Sequence, residues 1–366
     1  MKKIGVLTFH RAINYGAVLQ TYGLITTLHA IAPGCQVIDY RGERLENHYK
    51  PIYLPKNKNK LKSLAKCMIK YPIAVKRRKV FSQFVSKYIP VTEEIYDDHT
   101  IGQANAQFCS YITGSDQVWS PRTVGFDPVY FLTFAEGQKK NSYAASFGVR
   151  EIPENLREEY KKRLSGYSHI SVREESAVPM VQELLTDAQP ERHIDPSLLL
   201  NAEQWGKLAA APKDRGYVLL FTVNMPKKLI AFARSLAAAK GLKMIYINEK
   251  PIFCEKGIEY RRSASPEEFL GLIKHADYVV TNSFHGTAFS VNFRKNFYVE
   301  LDTKSGRNTR AESLLKILGI SGREITEDVY KGTDSEIDWN HVEQELGVER
   351  EKALQYLKCI VEECNE

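Results

Sequence analysis

The protein has 366 residues, of which 43% are hydrophobic and 26% charged, and its formal net charge at pH 7 is +7. This length allows a large core and two domains, and no apolar run reaches the roughly 18 residues that a membrane span needs. The six cysteines are scattered without a CxxC pair, which argues against a zinc site and favours free thiols in a reducing cytoplasm.

The chain opens with the apolar run KKIGVLTFH, which predicts a first strand. This basic and then apolar start resembles a signal peptide superficially, but the run is short and is broken by His10 and Arg11, so a strand is the prediction. The turn NYG at residues 14–16 leads into a helical pattern, and the strand CQVIDYR follows, which predicts a parallel βαβ unit. Gly16 either lets the backbone approach an anion at the helix N-terminus or serves turn geometry alone.

Residues 50–92 contain no Asp or Glu but carry twelve Lys and Arg residues with apolar residues between them. A basic amphipathic segment of this kind can lie on an anionic membrane surface or meet an anionic lipid headgroup. A solvated pair of basic helices explains the pattern equally well. No recognised motif supports nucleic-acid binding, and we expect none.

Three short apolar runs, YIT, NSYAASFG and HISV, each end in small polar residues. In GSDQVW, Ser115, Asp116 and Gln117 follow a strand, so Asp116 either accepts a proton from a sugar hydroxyl or caps a helix. Trp119 is either a platform for a sugar or a buried indole. Ser146, in SYAASFG, either leaves room for a ligand or serves tight packing.

Arg173 lies at the end of the next predicted strand, in SVREES. An arginine in this position can hold a carboxylate or a phosphate through two parallel hydrogen bonds. A salt bridge to the neighbouring Glu174 or Glu175 is the alternative.

After Pro196 the alternation of strands and helices starts again. RGYVLLFTV predicts a strand, PKKLIAFARSLAAAKG a helix with a glycine stop, and SPEEFLGLIKHA a helix with a capping box from Ser265 to Glu268. We therefore predict two doubly wound domains. Their expected bounds are residues 1–195, with the basic segment 50–92 inserted, and 196–340; residues 341–366 form a helix that packs across both domains.

Ligands in open parallel sheets bind outside the carboxyl ends of the strands. The stretch VVTNSFHGTAFS places Ser283, His285 and Gly286 at such an end. Histidine can carry charge to an anion or transfer a proton near neutral pH, and Arg307 and Arg310 follow as further cations. The chain has no GxGxxG and no P-loop motif, so neither of these nucleotide sites is predicted.

Six motifs in order, NYGAVLQ, GSDQVW, SYAASFG, SVREES, DPSLLL and SFHGTAFS, resemble the polysaccharide pyruvyl transferase family over about residues 4–325. The resemblance implies two Rossmann-like domains arranged as in GT-B glycosyltransferases. It implies phosphoenolpyruvate as donor, a sugar as acceptor, pyruvate installed as a ketal, and no essential metal or cofactor. Family residues matching Arg173 and His285 contact the donor. Many members have Arg-Leu-His where this chain has Ser283, Phe284 and His285, so Arg310 or Arg307 replaces one contact or the donor differs.

We therefore predict a cytoplasmic transferase that contacts the inner face of the membrane peripherally and modifies a lipid-pyrophosphate-linked sugar of a capsular polysaccharide or exopolysaccharide. The alternatives are a GT-B glycosyltransferase that uses a nucleotide sugar and a non-catalytic binding member of the fold. His285 is the predicted acid or phosphate activator, and Asp116 is the predicted base. The predicted ligand contacts come from strand ends and first helical turns: Arg173, Arg310, Asn14, Tyr15, Gly16, Ser115, Gln117, Ser146, Ser283 and Gly286.

Overall fold

The computed structural model describes residues 3–50, 60–122, 126–137, 139–223, 226–250, 255–301, 309–332 and 334–365, without the side chains of 60–67, 309 and 365. Two parallel sheets form the framework of the protein. The central strands, such as Ile4–Leu7, Ser110–Thr113 and Tyr278–Thr281, are short runs buried on both faces, as parallel strands covered by helices are.

The first sheet has six parallel strands. They are β1 Ile4–Leu7, β2 Gln36–Tyr40, β3 Val91–Tyr96, β4 Ser110–Thr113, β5 Lys139–Ser142 and β6 Tyr167–His169. The helices of this half are α1 Tyr15–Ile31, α2 Glu43–His48, α3 Lys60–Tyr88, α4 Arg157–Leu164 and α5 Ala177–Leu184. The spatial order β3-β2-β1-β4-β5-β6 reverses between β1 and β4, which makes that crevice the switch point where ligands bind.

A small parallel pair, β7 Ser171–Val172 and β8 Glu191–Arg192, follows the first sheet. The chain then enters α6 Ala202–Leu208 and a second sheet in the order β11-β10-β9-β12-β13. Its strands are β9 Tyr217–Phe221, β10 Lys243–Ile247, β11 Ile258–Arg261, β12 Tyr278–Thr281 and β13 Asn296–Val299. Its helices are α7 Lys227–Lys240, α8 Pro266–His275, α9 Phe284–Asn292 and α10 Thr309–Ile317. This order reverses between β9 and β12, directly before α9.

Helix ends in the second half follow the predicted chemistry. The hydroxyl of Ser265 accepts from the Glu268 amide, and the Glu268 carboxylate accepts from the Ser265 amide, so the predicted capping box is confirmed. Gly241 ends α7 in the left-handed region, with φ of 65°, as the predicted glycine stop requires.

The two sheets share one hydrophobic core across their contact. The ring of Tyr15, at the start of α1, stacks on Phe269 of α8 with ring centroids 4.4 Å apart. The Tyr15 hydroxyl donates to the carbonyl of Ala264 at 2.8 Å. These contacts hold the first turn of α1 against the second half of the chain.

The last helix, α11 Trp339–Asn365, contacts both halves. The hydroxyl of Tyr356 donates to the carbonyl of Ser142, the last residue of β5 in the first sheet, at 2.8 Å. Arg350 donates through Nε to the carbonyl of Leu198 at 2.8 Å and through Nη2 to Asn292 of α9 at 3.2 Å. The helix begins two positions before the predicted third segment, and the domain bounds at 195 and 340 stay predictions.

Candidate functional site

The strand ends of the two sheets bring six polar and charged side chains into one cleft. Ser115 and Asp116 follow β4, Arg173 and Glu174 follow β7, Asp195 precedes a 3-10 turn, and His285 lies in the first turn of α9. Except for Asp116, which is half-buried, each of these residues is buried.

His285 does not cap its helix, because Ser283 has that role. The Ser283 hydroxyl accepts from the Gly286 amide at 3.4 Å, which leaves the imidazole free for other contacts. Nε2 of His285 lies 3.7 Å from Oδ1 of Asp195 and forms no hydrogen bond with any described residue. Ser283 therefore caps α9, and its predicted ligand contact stays a prediction.

Gly16 is required by the packing of His285. A Cβ atom at position 16 would lie 2.1 Å from Nδ1 of His285, far inside any allowed contact. Only glycine lets the first turn of α1 approach the ring this closely. The close approach that Gly16 permits is to a histidine from the other half of the chain, and its predicted contact with an anion stays a prediction.

Gly286, in the same turn, serves packing between α9 and its strand. A Cβ atom there would lie 2.3 Å from Oγ1 of Thr281, at the end of β12. The structure therefore explains this glycine without the predicted ligand contact.

Arg173 has both partners and unused donors. Its Nη1 donates to Oδ2 of Asp195 at 2.6 Å and to the Ser115 hydroxyl at 3.4 Å. Its Nε and Nη2 atoms are buried without a hydrogen-bond partner among the described residues. Buried N–H groups of a charged side chain are rarely left unpaired, so these two atoms point to an absent anionic partner.

Arg310 comes from α10 to the same place. The guanidinium groups of Arg173 and Arg310 lie 5.3 and 5.6 Å from the centroid of the Phe284 ring. Burial first, and the like charge of Arg173 among the further causes, lower the pKa of Arg310 to about 10, so it still carries its proton at neutral pH. Arg310 thus lies near Phe284 and Glu174, whereas Arg307 lies outside the described residues; replacement of the family arginine stays a prediction.

Glu174 is the counter-charge of the two arginines. Its Oε1 accepts from the Ser146 hydroxyl at 2.5 Å and lies 3.6 Å from Nε of Arg173 and 4.0 Å from Nε of Arg310. Its Oε2 is buried without a hydrogen-bond partner in the described part of the chain. Ser146 therefore holds the carboxylate of Glu174. Arg173 forms the ion pair with Glu174 that was the alternative to ligand binding, and its Nε and Nη2 atoms still have no hydrogen-bond partner among the described residues.

Asp116 lies on the wall of a cavity of about 580 Å³ that also borders Asn14, Gln117 and Tyr49. Its backbone is in the left-handed region with φ of 87°, a conformation that costs energy for a residue with a side chain. Its Oδ1 accepts from the Gln117 amide at 2.8 Å, and turns rather than a helix follow it through residue 122, so the alternative of a helix cap is wrong. A larger cavity of about 860 Å³ lies away from these residues, beside α5.

Tyr15 and Trp119 belong to the core. Tyr15 is 3% exposed and its hydroxyl is engaged with Ala264, so we withdraw it from the ligand contacts. Trp119 is fully buried against Phe131 and Phe147, so the interpretation as a sugar platform is wrong. Asn14 caps α1 by accepting from the Gly16 amide at 2.9 Å and remains at the cavity wall.

Sequence reasoning missed Asp195, Glu174 and Phe284 as members of the site. Asp195 was visible as the acidic residue of DPSLLL, in which an aspartate before a proline typically caps a turn. The sequence predicts Glu174 only as an ion-pair partner of Arg173. Phe284 gave no signal, because an apolar residue in a first helical turn is ordinary in a core.

One group of potential metal ligands lies outside the cleft. His169, Cys359 and Glu363 place their ligand atoms within 4.8 Å of one another at the contact between β6 and α11. Nε2 of His169 already pairs with Oε1 of Glu363 at 2.8 Å. The expectation that no metal is essential stays a prediction.

Comparison with known proteins gives the family and the fold. No curated protein matches the sequence. Among solved structures, UGT89C1 of Arabidopsis thaliana aligns over 99% of both chains at 10% identity, with a TM-score of 0.53. UDP-GlcNAc 2-epimerase from Neisseria meningitidis bound to UDP-GlcNAc aligns over 98% of this chain and 94% of its own at 10% identity and a TM-score of 0.47. Escherichia coli heptosyltransferase WaaC with ADP aligns over 84% and 90% at 13% identity and a TM-score of 0.39.

At such low identity, likeness to UGT89C1 is likeness of fold, and the predicted GT-B-like pair of Rossmann-like domains is confirmed. A sequence profile of the polysaccharide pyruvyl transferase family matches residues 14–299, the greater part of the chain. The matched range includes every strand of both sheets from β2 to β13 and the cleft residues from Asn14 to His285. The chain therefore belongs to the polysaccharide pyruvyl transferase family.

Proposed function

We propose that the protein transfers pyruvate from phosphoenolpyruvate to a sugar, where it forms a ketal across two hydroxyl groups. Membership of the family supports a transferase. The observation that carries the donor assignment is that Nε and Nη2 of Arg173 form no hydrogen bond with any described residue, in a cleft that also holds Arg310 and His285. Phosphoenolpyruvate offers a phosphate and a carboxylate, the two groups that guanidinium forks bind best.

The chemistry needs one acid and one base. A proton adds to the methylene carbon of phosphoenolpyruvate, and a sugar hydroxyl adds to C2 and gives up its proton. Phosphate then leaves with the electron pair of its C–O bond, and a second hydroxyl attacks C2, releases its proton and closes the ketal. We assign His285 to the acid step or to activation of the leaving phosphate, and Asp116 to the base step.

The acceptor side of the proposal is the cavity beside Asp116. Its volume of about 580 Å³ accommodates a sugar residue, and Asn14 and Gln117 provide polar contacts on its wall. A hydroxyl bound there would lie next to the only carboxylate among the residues that line this cavity, which is why Asp116 is assigned the base role.

We further propose that the acceptor is lipid-linked and that α3 meets an anionic membrane surface. No helix in the described ranges is long and apolar enough to cross a bilayer. The first part of α3 instead exposes Met68, Ile69, Tyr71 and Val75 among lysines, which suits interfacial contact. Residues 51–59 of the basic segment lie outside the described residues.

One residue of the basic segment 50–92, Arg77, has a different role. Arg77 is 9% exposed, lies over the ring of Tyr15 and pairs with Glu249 of the second half at 3.3 Å. It therefore cannot face a membrane. Arg78 pairs with Glu46, which leaves Lys70, Lys76 and Lys79 as the exposed cations of residues 68–80.

A glycosyltransferase that uses a nucleotide sugar is the second candidate. Two observations favour it: the shared fold with UGT89C1 and Ser283 in the place where many family members carry arginine. A diphosphate would also suit the two arginines. A non-catalytic binding protein would retain anion binding without turnover.

The deciding experiment measures phosphate release from phosphoenolpyruvate with a panel of lipid-linked and aryl sugar acceptors. We expect acceptor-dependent release, reduced at least 100-fold in His285→Ala, because general acid groups contribute roughly 10²–10⁴-fold. His275→Ala, at the far end of α8, is the matched control and should retain full activity. Absence of release with every acceptor, together with a thermal shift by nucleotide sugars, would favour the second candidate.

A further inference from the structure

Asp195 is a carboxylate buried at the centre of the cleft, with a side chain that is 0% exposed. Its Oδ1 accepts from the Ser197 amide at 2.9 Å and lies 3.7 Å from Nε2 of His285. Its Oδ2 accepts from Nη1 of Arg173 at 2.6 Å and from the Ser115 hydroxyl at 3.3 Å. One side chain therefore touches both residues that are assigned to the donor.

A carboxylate so deeply buried is stable as an anion only if positive charge surrounds it. Burial, the largest influence, would raise the pKa of Asp195, but His285, Arg173 and the Ser197 amide outweigh it and lower that pKa below its usual range. Asp195 is therefore ionised at neutral pH.

A second aspartate, Asp127, shows how a buried capping carboxylate behaves without His285 and Arg173 beside it. Asp127 also precedes a proline, is also buried, and caps a 3-10 turn by accepting from the Val129 amide at 2.9 Å. Its other Oδ accepts from the hydroxyl of Tyr40, and among the described residues no Arg, Lys or His side chain lies within ion-pair distance of it, the charge of Arg44 acting only from farther away. Burial, the largest influence, raises the pKa of Asp127. The same cap thus behaves differently where His285 and Arg173 are absent.

We propose that Asp195 is a positioning residue that orients His285 through the charge it places beside the imidazole and aligns the guanidinium of Arg173 for the donor anion. Around the imidazole lie Asp195, the neighbouring Phe284 ring and the backbone at Gly16, with Arg173 across the carboxylate. The inference rests on the proposed function only for the identity of the anion.

The test is Asp195→Asn, because asparagine caps as well as aspartate but carries no charge. NMR of the histidine rings against pH, with His285→Ala to assign the signals, needs no substrate. We expect the His285 signals of Asp195→Asn to change over a pH range about one unit lower than in the parent protein, since an opposite charge at this distance shifts a titration by roughly that amount. Asp127→Asn is the matched control and should leave the signals unchanged. If Asp195→Asn does not fold, Asp195→Ser keeps a capping hydroxyl and serves instead.

A kinetic measurement completes the test. In Asp195→Asn the alkaline limb of kcat/KM should move to lower pH together with the NMR signals, whereas Asp127→Asn should keep the parent profile. An unchanged His285 pH range in Asp195→Asn, or an equal shift in Asp127→Asn, would overturn the inference. A shift in the NMR signals without turnover of phosphoenolpyruvate would uphold the positioning role and refute the proposed donor.

Discussion

His285 lies between a buried carboxylate and the first turn of a helix from the other half of the chain. Its contacts come from residues 16 and 195, far from it in sequence. Ser283 caps the helix, so the imidazole has no structural hydrogen bond to satisfy there. Beside it, Nε and Nη2 of Arg173 have no hydrogen-bond partner among the described residues. Substitutions in the cleft should therefore act through the position of His285 and through the binding of an anion by the arginines.

Gly16→Ala would place a methyl group 2.1 Å from Nδ1 of His285. We expect a loss of stability of about 1–3 kcal/mol, as for other overpacked sites, and loss of donor turnover because the ring must move. Thermal unfolding and phosphate release measure the two effects. Gly347→Ala, in open space within α11, should instead stabilise by about 0.5–1 kcal/mol; equal effects of the two changes would contradict the packing argument.

Arg310→Ala removes one of the two guanidinium groups beside Phe284. The KM for phosphoenolpyruvate should rise at least tenfold, since hydrogen bonds to charged groups contribute about 1.5–3 kcal/mol. Arg310→Lys keeps the charge without the planar fork and should restore only part of the affinity. Arg294→Ala, exposed beyond α9, is the control. An unchanged KM in Arg310→Ala would show that this side chain does not replace the missing family arginine.

Helix α3 combines two functions along its length. Its later turns bury Phe81 and Phe84 in the shared core, and Arg77 bridges to Glu249. Its earlier turns expose apolar side chains and lysines, and packing in the core does not explain why these apolar side chains are exposed. A division of this kind is typical of a helix that is anchored at one end and meets another surface at the other.

Replacing Lys70, Lys76 and Lys79 with glutamine should weaken binding to vesicles that contain phosphatidylserine. Each basic residue near an anionic surface contributes about 1 kcal/mol, so the loss should exceed tenfold. The same change at the exposed Lys207, Lys256 and Lys331 removes equal charge in the second half and is the control. Equal retention by both triple variants in cosedimentation would remove the membrane proposal.

The whole molecule is two parallel sheets joined by a shared core and by α11. That helix rests on the first half through Tyr356, whose ring lies 4.5 Å from the ring of His193, and on the second half through Arg350. The rings of Tyr143 and Tyr356 both pack against His193. The attachment of α11 therefore depends on an imidazole that is buried in its neutral form.

This attachment predicts a pH dependence of stability. Burial first, and the neighbouring charge of Arg192 second, lower the pKa of His193 from 6.5 to about 4. The unfolded chain binds a proton at this site below pH 6.5, whereas the folded protein does so only near pH 4. Stability should therefore be full above pH 6.5 and fall as the pH drops to 4, by on the order of 3 kcal/mol.

The measurement is the free energy of unfolding by urea at intervals from pH 7.5 to 4, for the parent protein and for His193→Gln. The variant should be less stable at pH 7.5, because packing against Tyr356 is lost, and the gap should narrow toward pH 4. A gap that stays constant over this range would mean that His193 titrates alike in both states.

The sequence by itself determined the order of strands and helices, the parallel sheets, the capping box at Ser265 and the helix stop at Gly241, because these depend on residues near one another in the chain. It also placed Arg173, Asp116 and His285 at strand ends. Only the tertiary structure decided that Gly16 and Asp195 meet His285, that Arg310 comes to Arg173, and that Tyr15, Arg77 and Trp119 belong to the interior. These contacts join residues up to about 270 positions apart, and their distances depend on how two sheets pack, which no local pattern encodes.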